Sequence, residues 1–581
     1  MFGYVTLGII GPRSPGRCQV KRALLAPLAL LLASCATVAP VPHYDLLIRN
    51  GTIVDGSGAA PYTGDVAIRG DRIAAVAPRL SGTGQRTIDA TGLAVSPGFI
   101  NMLSWADESL IEDGAGESDI RQGVTLEVFG EGWSNGPITA AMAAREEGRQ
   151  GDLKHPIPWR SLGDYFRFMT SRGVAPNIAS FVGHGTVRDH ILGEGDVDPT
   201  PVQLAQMQNL VRAGMNDGGM GLGSSLIYAP GTYAETPELI ALATASAQCG
   251  GMYISHMRNE SDKVLEAVDE LIEIARASGG PAEIYHLKQA GKANWNKLDA
   301  IIARVEAARA AGIRITADMY TYTAGATGLD AAMPTWVQAG GYDEWKKRLQ
   351  DPATRAKVIA EMRSAPDGWE NLMRHAGADK MILLGFKNDR LKPLTGKTLA
   401  EVAAMRGTSP EDTAIDLVIE DGSRVAVAYF LMDEANVARQ VALPWMAFDS
   451  DAAAQAPRGV FLKSSVHPRA YGNFARLLGR YVRDERRTTL PDAIRRLTSF
   501  PASNLGIKDR GLLRPGMMAD VALFDAATIA DTATFEQPQQ FAVGMRHVLV
   551  NGVPVLLDGA MTDARPGRAV LGPGKDRCPQ R

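Results

Sequence analysis

The chain has four cysteines in 581 residues, too few for a disulfide-stapled scaffold or a cysteine-rich metal cluster. It also lacks a dominant charge. Lys+Arg number 61 against 64 Asp+Glu, a net charge of -3, so no basic field is present to attract nucleic acid. The apolar run near the N-terminus, Ala23 to Ala33, is about half the ~20 residues a membrane-spanning helix needs. Internal repeats and low-complexity stretches are absent as well, which excludes solenoids and polar arrays. With 45% hydrophobic and 22% charged residues, what remains is globular. Its length fits three or four domains, or one large barrel with attachments.

The first 35 residues stand apart from that globular chain. Arg13, Arg17, Lys21 and Arg22, with no acid among them, precede the apolar run, which ends in Leu32-Ala33-Ser34-Cys35. A basic segment, a short apolar core and small residues before the cut make a secretory signal. Leu-Ala-Ser-Cys resembles the bacterial lipobox, whose cysteine becomes the lipidated first residue. Cys35 is therefore expected to carry lipid and to hold the protein on the periplasmic face of a membrane. Ordinary cleavage near Ala36 is the alternative. Loss of residues 1–34 removes four positive charges, so the mature charge becomes -7. Cys249 and Cys578 then remain, two distant thiols with no disulfide framework.

Residues 36–43 read as a Pro-containing tether. From Tyr44, short β-rich runs and turns follow, with Asn50-Gly51 as a hairpin signal. The other end has the same texture, in Ala519 to Asp525 and His547 to Leu557. Residues 44–96 and 509–573 are thus expected to form one small β-sandwich, with 574–581 as a tail. Between them, apolar runs such as Ile178 to Val182, Met252 to Ser255, Ala282 to Tyr285 and Ile313 to Ala317 alternate with helical stretches, Lys263 to Ala277 and Lys297 to Ala311 among them. That alternation predicts an α/β fold, a distorted (β/α)8 TIM barrel over 97–508. Long charged helical segments at about 331–440 interrupt it and read as an insertion or lid.

Several stretches then become recognisable. Ser96-Pro-Gly-Phe-Ile-Asn101 after a small β domain resembles the entry to the first barrel strand of the amidohydrolase superfamily. Asn177 to Arg188, Gly221 to Gly231, Ile254-Ser-His-Met-Arg-Asn-Glu260, Ile284-Tyr-His-Leu-Lys288, Asp449-Ser-Asp451 and His467-Pro-Arg469 are similar to its D-aminoacylase branch, the N-acyl-D-amino-acid deacylases. The resemblance spans about 44 to 573. One departure is conspicuous. The family's first strand carries His-x-His, two metal ligands, where this chain has Leu103-Ser104-Trp105. Neither side chain can donate a lone pair to a metal ion, so half of a two-metal site is missing.

The other half looks intact. The family's Cys-Gly-x-Ser segment corresponds to Glu131-Gly-Trp-Ser134, and His256 and His286 match its two later histidines. The resemblance implies one divalent ion on Glu131, His256 and His286, most simply Zn²⁺, with Mn²⁺ or Fe²⁺ suited to the harder carboxylate ligand. Glu127 is the alternative to Glu131. His43, His155, His190, His375 and His547 fall in loops or polar segments and read as surface residues.

The resemblance further assigns roles beyond the ion. Asp451 corresponds to the aspartate that takes a proton from water and returns it to the leaving nitrogen, with Asp449 its rival two residues earlier. Arg469 matches an arginine that grips the substrate carboxylate, and Tyr320 matches a tyrosine at the same end. The family's serine six residues after that tyrosine is Ala326 here. His184 either lines the pocket or is a buried structural histidine. The implied activity is hydrolysis of an N-acyl-D-amino acid or a related amide. Two readings stand beside it. One is hydrolysis of another periplasmic amide or a small D-residue peptide. The other, given Leu103 and Trp105, is a non-catalytic binding lipoprotein.

Overall fold

The computed structural model describes residues 42–366 and 368–579. The expected signal segment, Cys35 and most of the tether lie outside these residues. The last tether position, His43, already opens the first strand, His43–Ile53.

Seven strands run in parallel around the molecule's centre. Phe99–Asn101, Val124–Phe129 and Asn177–Ser180 form one sheet. Val182–Gly183, which continues the third strand, is followed by Gly221–Ser225, Met252–His256, Ala282–Ile284 and Ile315–Ala317 in the other. Residues 446–452 supply the eighth position. Met446 bridges Ala317 on one side and Ala452 bridges Ser104 on the other, both in parallel sense, so the ring closes. Apart from Thr316, the seven strands are buried along their full length, as strands covered by helices on one side and a filled barrel on the other must be. Helices such as Thr236–Gln248, Val264–Ser278 and Leu298–Ala310 cover them. The 3.6-residue spacing of Val264, Val268, Leu271 and Ala275 places those side chains on the buried face. The α/β barrel expectation therefore holds.

The two chain ends join in one nine-stranded sheet, rather than two separately paired layers. Ala94–Pro97 pairs with Val521–Phe524, and His43–Ile53 carries Tyr62–Arg69, Thr83–Asp89 and Ala94–Pro97 along its edges. Asn50-Gly51 makes no hairpin. Asn50 takes φ 60° inside a single strand, and the pairing slips between Ile48 and Gly51. The carboxylate of Asp65 stabilises this bulge by accepting from the Asn50 amide at 3.0 Å and from Arg49 at 3.0 Å. A Cβ at Gly51 would meet Val95 Cγ2 at 2.4 Å.

The insertion is a folded subdomain. It starts earlier than the charged helices suggest, with Ala324–Gly328, which pairs with Ala426–Phe430 and through it with Met381–Gly385 in an antiparallel sheet. Helices Tyr342–Gln350, Pro352–Arg363, Leu399–Arg406 and Pro410–Asp421 pack on it around a separate core containing Trp345, Leu349, Leu383, Leu417 and Val427. The helix Glu434–Val441, expected within the insertion, packs its Val437, Ala438 and Val441 into the barrel core instead.

Two further expectations change. Cys249 and Cys578 are disulfide-bonded, with Cα atoms 4.8 Å apart, tying the C-terminal tail to the end of the Thr236–Gln248 helix. His375 and His547, read as surface residues, are buried at the level of their side chains.

Candidate active site

Glu131, His256 and His286 converge at the C-terminal ends of their strands. Glu131 follows Val124–Phe129 between Gly130 at φ 106° and Gly132 at φ 70°, a backbone that only glycine adopts readily. The turn aims the carboxylate across the barrel. Its Oε1 lies 2.9 Å from His256 Nδ1 and 3.0 Å from His286 Nε2. The three donor atoms lie within 4.8 Å of one another, and all three residues are buried. His286 has φ 33°, a left-handed backbone that non-glycine residues hold only where surrounding structure imposes it. Its amide is held by the Asp318 carboxylate. Glu127, the alternative ligand, is engaged elsewhere: it accepts from Asn101 of the neighbouring strand at 2.9 Å and is absent from the ligand group.

A second carboxylate backs the two imidazoles. Glu260 Oε1 lies 3.1 Å from His286 Nδ1, and Oε2 lies 3.6 Å from His256 Nε2. Lys288 holds Glu260 at 2.7 Å. Burial alone would raise the Glu260 carboxyl, but Lys288 and the two histidines outweigh it and keep it well below the usual range. Glu131 is likewise held low against its burial, by His286 and His256. Burial and Lys288 act to lower His286, and Glu260 with Glu131 overcome them, pushing it up to about 10. A strongly ionised carboxylate facing two imidazoles, two nitrogens and an oxygen at one point, suits a divalent ion. His256, Glu260 and Glu370 form a second convergent group. The Lys288 ammonium already neutralises Glu260 there, so the Glu131 group is the better cation site.

These residues open into a cavity of about 920 Å³ lined also by Trp105, Tyr320, Asp451 and Arg469. Asp451 and its rival are now separated. A strand through both would turn them the same way, but Asp451 has φ 44°. Its carboxylate reaches the cavity, while Asp449 is wholly buried beside Asp318. Burial and then Asp451 push the Asp449 carboxyl up to about 7. Asp451 Oδ2 meets Arg469 Nη2 at 2.8 Å, and Oδ1 accepts from Trp105 Nε1 at 3.0 Å.

Arg469 is 2% exposed, and its Nε and Nη1 have no hydrogen-bond partner among the described residues. Its guanidinium lies 4.4 Å over the Tyr320 ring, whose hydroxyl is also unpartnered, and Lys288 approaches the same ring at 5.7 Å. Buried donors without acceptors are costly unless a ligand supplies one. His184 does not line the cavity. It is fully buried, with Nε2 2.8 Å from Glu238 Oε1, and Arg188 binds the other oxygen of that carboxylate.

Sequence reasoning missed Lys288, Glu260 and the part played by Trp105. Lys288 follows His286 by two residues and Glu260 follows His256 by four, a charged residue just past each ligand. Those positions were the available signal.

Comparison with known proteins agrees with this geometry. The family model described as "Amidohydrolase family" matches residues 86–556, so the chain belongs to the amidohydrolase family. Among its relatives, an N-acyl-D-glutamate deacylase of Alcaligenes xylosoxydans xylosoxydans is 32% identical over 90% of this chain and 96% of that one. The crystal structure of N-acyl-D-glutamate deacylase from Bordetella bronchiseptica, complexed with zinc and a phosphonate mimic of the tetrahedral intermediate, superposes with a TM-score of 0.75. It is 29% identical, over 91% of this chain and all of that one. A D-aminoacylase described as having a binuclear centre with one-metal activation and second-metal attenuation superposes at 0.74, with 30% identity over 90% of this chain and 99% of that one.

Proposed function

We propose that this amidohydrolase is a metal-dependent N-acyl-D-amino-acid deacylase working with one divalent ion. The observation that carries the reading is the cavity in which a three-donor group, Glu131, His256 and His286, faces Asp451 and the unpartnered N–H groups of Arg469. An ion held by that group, most simply zinc, with Mn²⁺ or Fe²⁺ as alternatives, would supply Lewis-acid activation of water and of the scissile carbonyl. The protein's own residues do the rest. Arg469 offers its free Nε–H and Nη1–H groups to the substrate carboxylate, Lys288 adds charge at the same end, and Tyr320 supplies a hydroxyl. With the carboxylate fixed there, Asp451 takes the proton of the attacking water and delivers it to the amide nitrogen as the C–N bond breaks. The products are a carboxylic acid and a free amino acid.

The Leu103 and Trp105 positions bear on the non-catalytic alternative. Leu103 is fully buried in an apolar cluster, and Trp105 lines the cavity. The three-donor group is complete without them, which supports an enzyme over a binding protein. A second reading, a small peptide ending in a D-residue, is favoured by the cavity volume, about 920 Å³, toward the upper end for a small-molecule site. We also propose export, with Cys35 as the lipid-bearing residue and the periplasm as the compartment. The Cys249–Cys578 disulfide supports this, because such bonds persist mainly in oxidising compartments.

Zinc-replete protein offered a panel of N-acetyl-D- and N-acetyl-L-amino acids, and dipeptides with a C-terminal D-residue, tests the reading. Turnover of a D-series that stops on chelation is the expected result. Hydrolysis of the L-series alone, or of nothing in the panel, would overturn it.

A further inference from the structure

Trp105 stands where the resembled first-strand pattern has its second histidine, and the structure gives it a task other than packing. The indole is 37% exposed and faces the cavity. Its Nε1–H donates to Asp451 Oδ1 at 3.0 Å, while Arg469 Nη2 holds Oδ2 at 2.8 Å. The backbones are locked together as well. The Asp451 amide donates to Leu103 O at 3.0 Å, and the Trp105 amide donates to Ala452 O at 3.0 Å, across the point where the barrel closes.

We propose that Trp105 is the positioning residue for Asp451. Its indole N–H fixes the carboxylate by a hydrogen bond, from the position where the resembled pattern has a metal-ligating histidine, and the centre is thereby committed to one ion. The inference rests on the one-ion deacylase reading above. A carboxylate turns easily about its terminal torsion, and Arg469 secures only one of its oxygens. Arg469 must also present its remaining N–H groups to the substrate. A neutral donor on the other oxygen leaves the carboxylate orientation independent of what Arg469 binds. The indole nitrogen donates a hydrogen and has no lone pair to offer a cation. With Leu103 buried among Val128, Phe181 and Tyr285, neither position can hold a second ion.

Substitution separates positioning from packing. The five-membered ring of the indole carries Nε1 about as far from Cβ as imidazole carries Nε2, so histidine can replace the donor and phenylalanine cannot. Trp105→Phe is expected to bind one zinc per chain with parental affinity and to keep KM within about twofold. Its kcat should fall about tenfold or more. Trp105→His should recover most of that rate, still with one zinc. Parental kcat in Trp105→Phe would overturn the proposal, as would loss of zinc in step with activity. A parent inactive on the whole substrate panel would refute the deacylase reading instead. The contact is then read by 15N-indole NMR of the eight tryptophans. The signal missing from Trp105→Phe should be exchange-protected in the parent and should move in Asp451→Asn. An unprotected signal, indifferent to Asp451→Asn, would overturn the inference.

Discussion

Two imidazoles from two strands share one oxygen of the Glu131 carboxylate, and this fixes what each substitution should do. His256→Ala or His286→Ala removes a third of the protein ligation, so metal content and turnover are both expected to vanish. Metal analysis and a rate assay on the same preparation check this. Glu131→Cys should still bind zinc and shift preference toward softer ions. Asp451→Asn leaves the three donors untouched. It should keep the metal and lose two or more orders of magnitude in kcat, whereas Arg469→Lys, losing the fork, should mainly raise KM. The convergence of Glu131, His256 and His286 was legible because each stands at the end of an apolar run, in the order the family resemblance supplies. His184 follows such a run too, and nothing local distinguishes it. Its partner Glu238 lies 54 residues on, a distance over which sequence alone pairs nothing. Trp105 and Asp451, 346 residues apart, were hidden for the same reason.

At the scale of elements, the barrel was legible because buried parallel strands are short apolar runs between amphipathic helices. The Asn-Gly pairs were less so. Asn551-Gly552 turns a hairpin between Met545–Val550 and Val553–Leu557, while Asn50-Gly51 makes a bulge because Asp65 and Val95 wait on the partner strands. Dipeptide propensity cannot register those neighbours. The insertion's strands were missed because charged helices dominate its composition, yet this element reaches the active site. Glu370 accepts from the Glu260 amide at 2.9 Å, and its other oxygen has no partner among the described residues. Burial, and then Glu260, push its carboxyl up to about 7. The folded value lies above the unfolded one, so this group's contribution to stability is full below about pH 4.5 and is lost as pH rises through 7. Glu370→Gln fixes the neutral form and keeps the amide contact. It should match the parent at pH 5 and exceed it at pH 8, by roughly 2–3 kcal/mol. Thermal denaturation at the two pH values checks this, and equal Tm at pH 8 would refute it.

For the whole molecule, the two chain ends meet in the nine-stranded sheet, and the Cys249–Cys578 bond ties the C-terminal tail to a barrel helix. The sheet was legible in the matching texture of the ends. The disulfide was not, since a sequence separation of 329 between its cysteines hides their approach. It makes export measurable separately from anchoring. The bond forms only where thiols are oxidised, and closing so long a loop restricts the unfolded chain, a gain of about 2–4 kcal/mol. Protein made in the cytoplasm without residues 1–35 should carry two free thiols and melt below the exported form. Cys35→Ser acts on a different property. Stable attachment needs more lipid than a single acyl chain provides, and the lipobox cysteine is the expected carrier. Its loss should shift the protein from the membrane fraction to uncleaved or soluble material. If that variant still crosses the membrane, thiol labelling will find Cys249 and Cys578 blocked although the anchor is gone. A protein that partitions with membranes whether or not Cys35 is present would refute the lipid anchor. Free thiols in exported wild-type protein would refute the disulfide, and each result leaves the other claim standing.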